Sequence, residues 1–103
     1  MTKNTLIQFF NKKHIAEFYQ LSSEVAFRKS DGKIVAFLFN EDESIFEIDG
    51  IAIEIFEAIS QKQSLINKML TLQEGKNWDN NQFQEDVAAF IKNLIEYKII
   101  EVI

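Results

Sequence analysis

A chain of 103 residues with 47% hydrophobic residues and 10 Phe has enough apolar mass for one packed domain and too much for a disordered one. Its formal net charge of -5 repels phosphate backbones and anionic membranes, which argues against nucleic acid or lipid partners, and the lack of cysteine excludes disulfides, thiolate metal sites and a cysteine nucleophile. The longest apolar run, Ile34 to Phe39, falls far short of a bilayer span, so a cytoplasmic protein is expected.

Residues Thr5 to Tyr19 carry Leu6, Ile7, Phe9, Phe10, Ile15, Phe18 and Tyr19 at helical spacings, interrupted by Asn11-Lys12-Lys13-His14. One or two short helices are expected there. Residues 1–23 are read as an N-terminal extension whose apolar side is covered either by the domain or by a partner chain, which makes it a candidate homodimer contact. Residues 24–103 form the domain proper.

Val25 to Arg28 is a short strand, Ser30-Asp31-Gly32 a turn, and Lys33 to Phe39 a second strand; Asp-Gly between two such runs is a strong hairpin signal, because a type I′ turn needs positive φ at both central positions. The second strand does not alternate polar and apolar residues, as expected of a middle strand with both faces at least partly covered. An acidic turn, Asn40 to Glu43, leads to a third strand, Ser44 to Ile48. Alternation returns in it, with Phe46 and Ile48 on one face and Ile45 and Glu47 on the other. In a three-strand meander this strand is an edge with an unpaired row of backbone groups.

Asp49 is placed to cap a helix starting at Gly50 or Ile51, with Ala52, Ile55, Phe56 and Ile59 on its inner side. Gln61-Lys62-Gln63 ends that helix and Ser64 caps a second, in which Leu65, Met69 and Leu72 repeat. Asp79, with Gln82 three residues on, opens a third helix to about Tyr97. Phe83, Val87, Phe90, Ile91 and Leu94 give this helix the cleanest periodicity in the chain. Ile99 to Ile103 is expected to pack back as a short strand. Strands followed by helices indicate an α+β fold.

Chemistry of its own is not expected, so the chain is read as a binding protein and not an enzyme. His14 stands alone, without acidic or histidine partners at ligand spacing, and is read as a surface residue. Three glycines, Gly32, Gly50 and Gly75, do not make a phosphate-cradling loop, and no cofactor is implied. Neighbouring acids such as Glu85-Asp86 fit a helix start better than acid-base catalysis.

The acidic turn, Ile45-Phe46-Glu47-Ile48-Asp49, and then Ala52, Glu54, Ile55, Phe56 and Glu57 together resemble the PqqD-like family, whose equivalent stretch reads Leu-Asn, a small residue, and Glu-Ile-Trp-Glu. Trp78 to Val87, followed by Phe90, Leu94 and Ile99-Ile100, is similar to that family's third-helix signature. The likeness covers roughly residues 25–102. Asp49 stands where Asn is usual, Asn80 where Pro is common and Lys98 where Gly often precedes the closing apolar pair. The resemblance implies a winged-helix-like domain that serves as a recognition element in the biosynthesis of ribosomally made, modified peptides. Such domains bind the leader of a precursor peptide and present it to a modifying enzyme, often a radical SAM protein, with the leader added to the third strand and packed over the third helix.

Strand addition of this kind agrees with the free edge at Ser44 to Ile48. The expected peptide-contacting residues are Glu43, Ser44, Ile45, Phe46 and Glu47 on the strand side, and Phe83, Asp86, Val87, Phe90 and Ile91 on the helix side. Ile45, Glu47, Phe83 and Asp86 are the groove candidates that a core does not require. Phe46, Ile48, Phe90 and Leu94 lie on faces that must cover each other, which is a core role. Glu41, Asp42, Glu43, Glu47 and Asp86 would attract a basic leader. The rival is a winged-helix DNA-binding transcriptional regulator, against which the acidic balance and the few cations on the helices count.

Overall fold

Two antiparallel sheets and four helices make up the computed structural model, which describes residues 1–39 and 43–103. The chain runs α1 (Lys3–Lys13), β1 (Tyr19–Leu21), β2 (Val25–Ser30), β3 (Lys33–Leu38), β4 (Ser44–Ile48), α2 (Ala52–Ser60), α3 (Leu65–Gln73), α4 (Asn80–Glu96) and β5 (Ile100–Val102). The expected meander is β2-β3-β4 and the three expected helices are α2, α3 and α4. This is the α+β, winged-helix-like architecture read from the sequence.

The β2–β3 hairpin closes where expected. Ser30 pairs with Lys33, and Asp31 and Gly32 between them have φ of 52° and 74°, the two left-handed positions of a primed turn. In β3, Ile34, Ala36 and Leu38 are buried while Val35 and Phe37 are half-buried, so one face meets the core and the other is only partly covered. β4 pairs with β3 in the register Ile34 with Ile48, Ala36 with Phe46 and Phe37 with Ile45. Phe46 and Ile48 therefore share the inner face, and Ile45 and Glu47 the outer one. The sheet is tied to α2 by Phe27, packed edge-on against Phe56 at 5.1 Å, and by a 2.7 Å ion pair between Lys29 and Glu57.

Asp49 does not cap α2. Gly50 follows it with φ of 62°, and the left-handed turn moves the helix start to Ala52, with Ile51 at the N-cap and no side-chain cap. The other two caps form as expected: the Ser64 hydroxyl accepts from the Asn67 amide, and Asp79 Oδ1 accepts from Asn81 and Gln82. Gln82 does not return the bond as a capping box would; its Nε2 donates to Asp86 Oδ1 at 2.8 Å.

The largest difference from expectation lies in the first 23 residues. They are not an extension beside the domain. Leu6 and Phe10 from α1, together with Ile15 and Tyr19, join Phe56, Leu65, Met69, Ile91 and Ile99 in one hydrophobic core. The polar stretch that seemed to interrupt a helix instead ends α1, with His14 exposed in the left-handed position that closes it. Tyr19 is not helical but begins β1, which pairs antiparallel with β5 in the register Tyr19 with Val102 and Leu21 with Ile100. The Ala16 amide donates to the buried Tyr19 hydroxyl at 2.8 Å, and the Leu65 amide to the Glu17 carbonyl at 3.0 Å. Lys13 reaches Glu85 on α4 at 3.1 Å. Among the described residues, no helix is long and apolar enough to cross a membrane.

Candidate functional site

β4 has β3 on one side only; among the described residues no strand pairs with its other edge. That edge therefore presents backbone donors and acceptors in a row. On the inner face beside it, the half-buried Phe46 meets Tyr97 at the end of α4, with ring centroids 5.2 Å apart. This contact joins the C-terminal end of α4 to β4. The helix turns Phe90 and Asp86 to the same flank, since they lie one turn apart.

Just beyond the end of β4, between the start of α2 and α4, lie two adjoining cavities. One, of about 120 Å³, is lined by Ile51, Ala52, Ile55, Asp86, Val87 and Phe90. The other, of about 220 Å³, is lined by Ile51, Trp78, Asp79, Gln82, Phe83 and Asp86. Ile51 and Asp86 border both. Ile51 is 40% exposed, an apolar residue held at the surface by the left-handed turn before it.

The expected site residues fall into three groups. Asp86 and Phe90 line the cavities, Phe46 is half-buried on the inner face of β4 against Tyr97, and Ser44 is half-buried on the edge strand. Phe46 and Phe90, assigned to the core by their spacing, are only half-buried: among the described residues no strand lies beyond β4, and Phe90 borders a cavity. Ile45 and Glu47 sit on the outer face, beside Phe37 and Val35, and do not share a surface with α4; Ile45 is 66% exposed. Glu43 is exposed at the head of the strand, while Glu41 and Asp42 lie outside the described residues.

Ile91 is fully buried and cannot touch a ligand. Phe83, expected as a groove residue, is buried and stacks on Trp78 with centroids 4.7 Å apart, and Val87 is likewise buried; each reaches a cavity only as part of its wall. The reason is the helix itself. The period that makes α4 regular also turns 83, 87, 91 and 94 into a single stripe, and that stripe faces the core.

Sequence reasoning missed Ile51, Trp78 and Tyr97. The signal for Trp78 was present, since it is the only tryptophan and directly precedes a helix cap. Ile51 could not be found without knowing that Gly50 turns left-handed. The charge near the cavities is mixed: Asp79 and Asp86 are exposed carboxylates, and the Lys76 ammonium lies 5.8 Å from the centre of the Trp78 ring. Among the described residues, no group of His, Asp or Glu is arranged to hold a metal ion.

No protein-family model matches the chain, and no curated protein does. Among solved structures it is similar to TbiB1 in complex with the TbiA(beta) leader peptide, with a TM-score of 0.70 and 15% identity over 80% of this chain and 94% of that one. At that identity the likeness is one of fold. The chain therefore has the α+β, winged-helix-like fold of a protein whose structure was solved with a leader peptide.

Proposed function

We propose that this chain binds the leader region of a ribosomally made precursor peptide and presents it to a modifying enzyme, without catalysing chemistry itself. The observation that carries this reading is the edge of β4, unpaired among the described residues, with Phe46 packed on Tyr97 beside it and apolar-walled cavities just beyond its end, in a fold shared with TbiB1. A peptide added to that edge gains main-chain hydrogen bonds whatever its sequence, while its inward side chains lie toward Phe46 and the cavities beyond the strand's end. Side chains on the other face of the added strand lie beside Ile45 and Glu47.

The likeness to the PqqD-like family favours a radical SAM protein as the enzyme served. The DNA-binding reading has less support. The cavities beyond the end of β4 are lined by carboxylates and aromatic rings, whereas a DNA reader needs several phosphate contacts from Lys or Arg.

Titrating isotope-labelled protein with leader segments of candidate precursor peptides sought among the neighbouring genes tests the reading. Amide shifts are expected along Ser44 to Ile48 and at Ile51, Asp86 and Phe90. Shifts confined to α3, or binding to duplex DNA with a steep salt slope, would overturn it in favour of the regulator.

A further inference from the structure

The larger of the two cavities has a composition that a purely apolar anchor would not need. Ile51, Trp78 and Phe83 supply its walls, and Asp86 and Asp79 stand at its rim. We infer that it is a subsite for one Lys or Arg side chain of the bound peptide, with Asp86 as the ion-pair partner. This inference rests on the peptide-binding reading of the same groove.

The walls suit the long methylene stem of a basic residue, which packs on apolar surface while its charged head stays at the rim. Trp78 already has a cation of the chain itself beside its ring, so an entering basic side chain displaces Lys76 and depends on Asp86 for its charge partner. One side of its ring is stacked on Phe83, and the ammonium of Lys76 lies 5.8 Å from its centre. The two carboxylates are not equivalent. Asp79 Oδ1 accepts from the amides of Asn81 and Gln82 and is committed to the start of α4, where the positive end of the helix dipole opposes a cation.

Asp86 lies beyond the first turn, where that opposition has faded. It accepts one hydrogen bond, from Gln82 Nε2, and a carboxylate has acceptor capacity for several more. Among the described residues it takes part in no ion pair. The net charge of -5 adds a general attraction for a basic segment. The adjoining cavity, with Ala52, Ile55, Val87 and Phe90, has aliphatic and aromatic walls suited to an apolar side chain. A bound peptide would thus place one apolar and one basic side chain on either side of the ridge formed by Ile51 and Asp86.

A phage-displayed library of random linear peptides, selected on the whole chain, supplies the probe. Trp78 is the only tryptophan, so its fluorescence reports occupancy directly. The selected peptides are expected to share a Lys or Arg at one position, and replacing it by Met to weaken binding on the order of fivefold. Asp86→Asn, which keeps an acceptor for Gln82, is expected to make the two peptides bind alike. Asp86→Lys is expected to reverse the preference, so that a Glu at the same peptide position binds better than Lys.

Peptides that shift the β4 amides yet show no basic position, or that ignore Asp86→Asn, would overturn the subsite and leave strand addition standing. Selected peptides that leave the β4 amides unmoved would overturn both.

Discussion

The two sheets of this molecule expose very different edges. The β1–β5 ribbon has three residues in each strand, with Tyr19 and Ile100 buried beneath it, and serves to lock the two ends of the chain onto the core. The three-stranded sheet ends in a five-residue strand, β4, whose outer edge is unpaired among the described residues and which leads through Gly50 to the cavities at Ile51. Short edges are poor templates for another chain, whereas a longer open edge with an apolar flank is a good one. The contrast separates the part of the protein that holds it together from the part available to a partner.

The sharpest way to break that contrast is through α1. Leu6 is 0% exposed. Leu6→Ala is expected to lower stability by about 2–5 kcal/mol, read from the urea midpoint by circular dichroism. Deleting residues 1–20 removes Leu6, Phe10, Ile15 and Tyr19 together and is expected to abolish cooperative unfolding. A deletion mutant that retains a sharp transition would restore the view of this segment as an extension. Loss of cooperative unfolding means that deletion cannot test whether the segment docks a partner or a second copy; surface substitutions at the exposed Ile7 and Phe18 are needed for that.

Tyr19 offers a smaller and pH-dependent break. Burial raises its hydroxyl above the ordinary value near 10, partly offset by the hydrogen bond from the Ala16 amide. A raised value means that the folded state holds the proton more tightly than the unfolded chain. The contribution is therefore complete below about pH 10 and is lost as pH rises through the folded value. Tyr19→Phe also leaves the Ala16 amide without its partner, at a cost of about 1–2 kcal/mol. Urea midpoints of the two proteins should differ by a constant amount up to about pH 10 and converge above it. A constant difference at every pH would show that the hydroxyl does not titrate with folding.

Much of this division was legible in the sequence, for reasons that differ by residue. The Asp31-Gly32 turn, the Ser64 and Asp79 caps and the stripe of α4 are local signals, set by positive φ, by a side chain reaching its own amides and by a period of 3.6. The alternation of Phe46 and Ile48 against Ile45 and Glu47 was legible for the same reason. What failed depended on distant contacts. Nothing near Tyr19 announces that it pairs with Val102, and nothing near Leu6 shows that α3 covers it.

The candidate site was harder to read than the fold. Periodicity marks the residues of α4 that face the core, so Phe83, Val87 and Ile91 stood out together with Phe90, which lies at the margin of that stripe and is only half-buried, while Tyr97 carries no pattern. An edge strand, moreover, leaves Phe46 half-exposed although spacing assigns it to the interior, and Phe90 is half-exposed because it borders a cavity.

Gly50 joins the two regions, since it turns β4 into α2 and holds Ile51 at the surface between the cavities. A Cβ at that position would meet nothing within 4 Å, so the cost of Gly50→Ala is conformational only, at φ of 62°. A loss of roughly 1 kcal/mol is expected, with the fold retained. Peptide affinity should fall by more than the global stability predicts, because relieving the left-handed turn displaces Ile51. If affinity is unchanged while stability drops, Ile51 is not part of the site.

The smallest effect on stability, and the clearest separation of the two sheets, is expected from Ile45→Asp. The residue is 66% exposed on the outer face of β4, so little apolar burial is lost and the midpoint should stay within about 0.5 kcal/mol of the parent. Binding should nevertheless weaken. A strand added to β4 places a side chain next to position 45, and an apolar contact there would be replaced by a desolvated carboxylate. Titration of both proteins with the same peptide, beside their urea curves, reads the two quantities separately. Equal affinities would mean that the added strand is not at this edge. A destabilised variant would mean that the outer face of the sheet is more deeply packed than its exposure implies, and the division between holding and binding would then not run along β4.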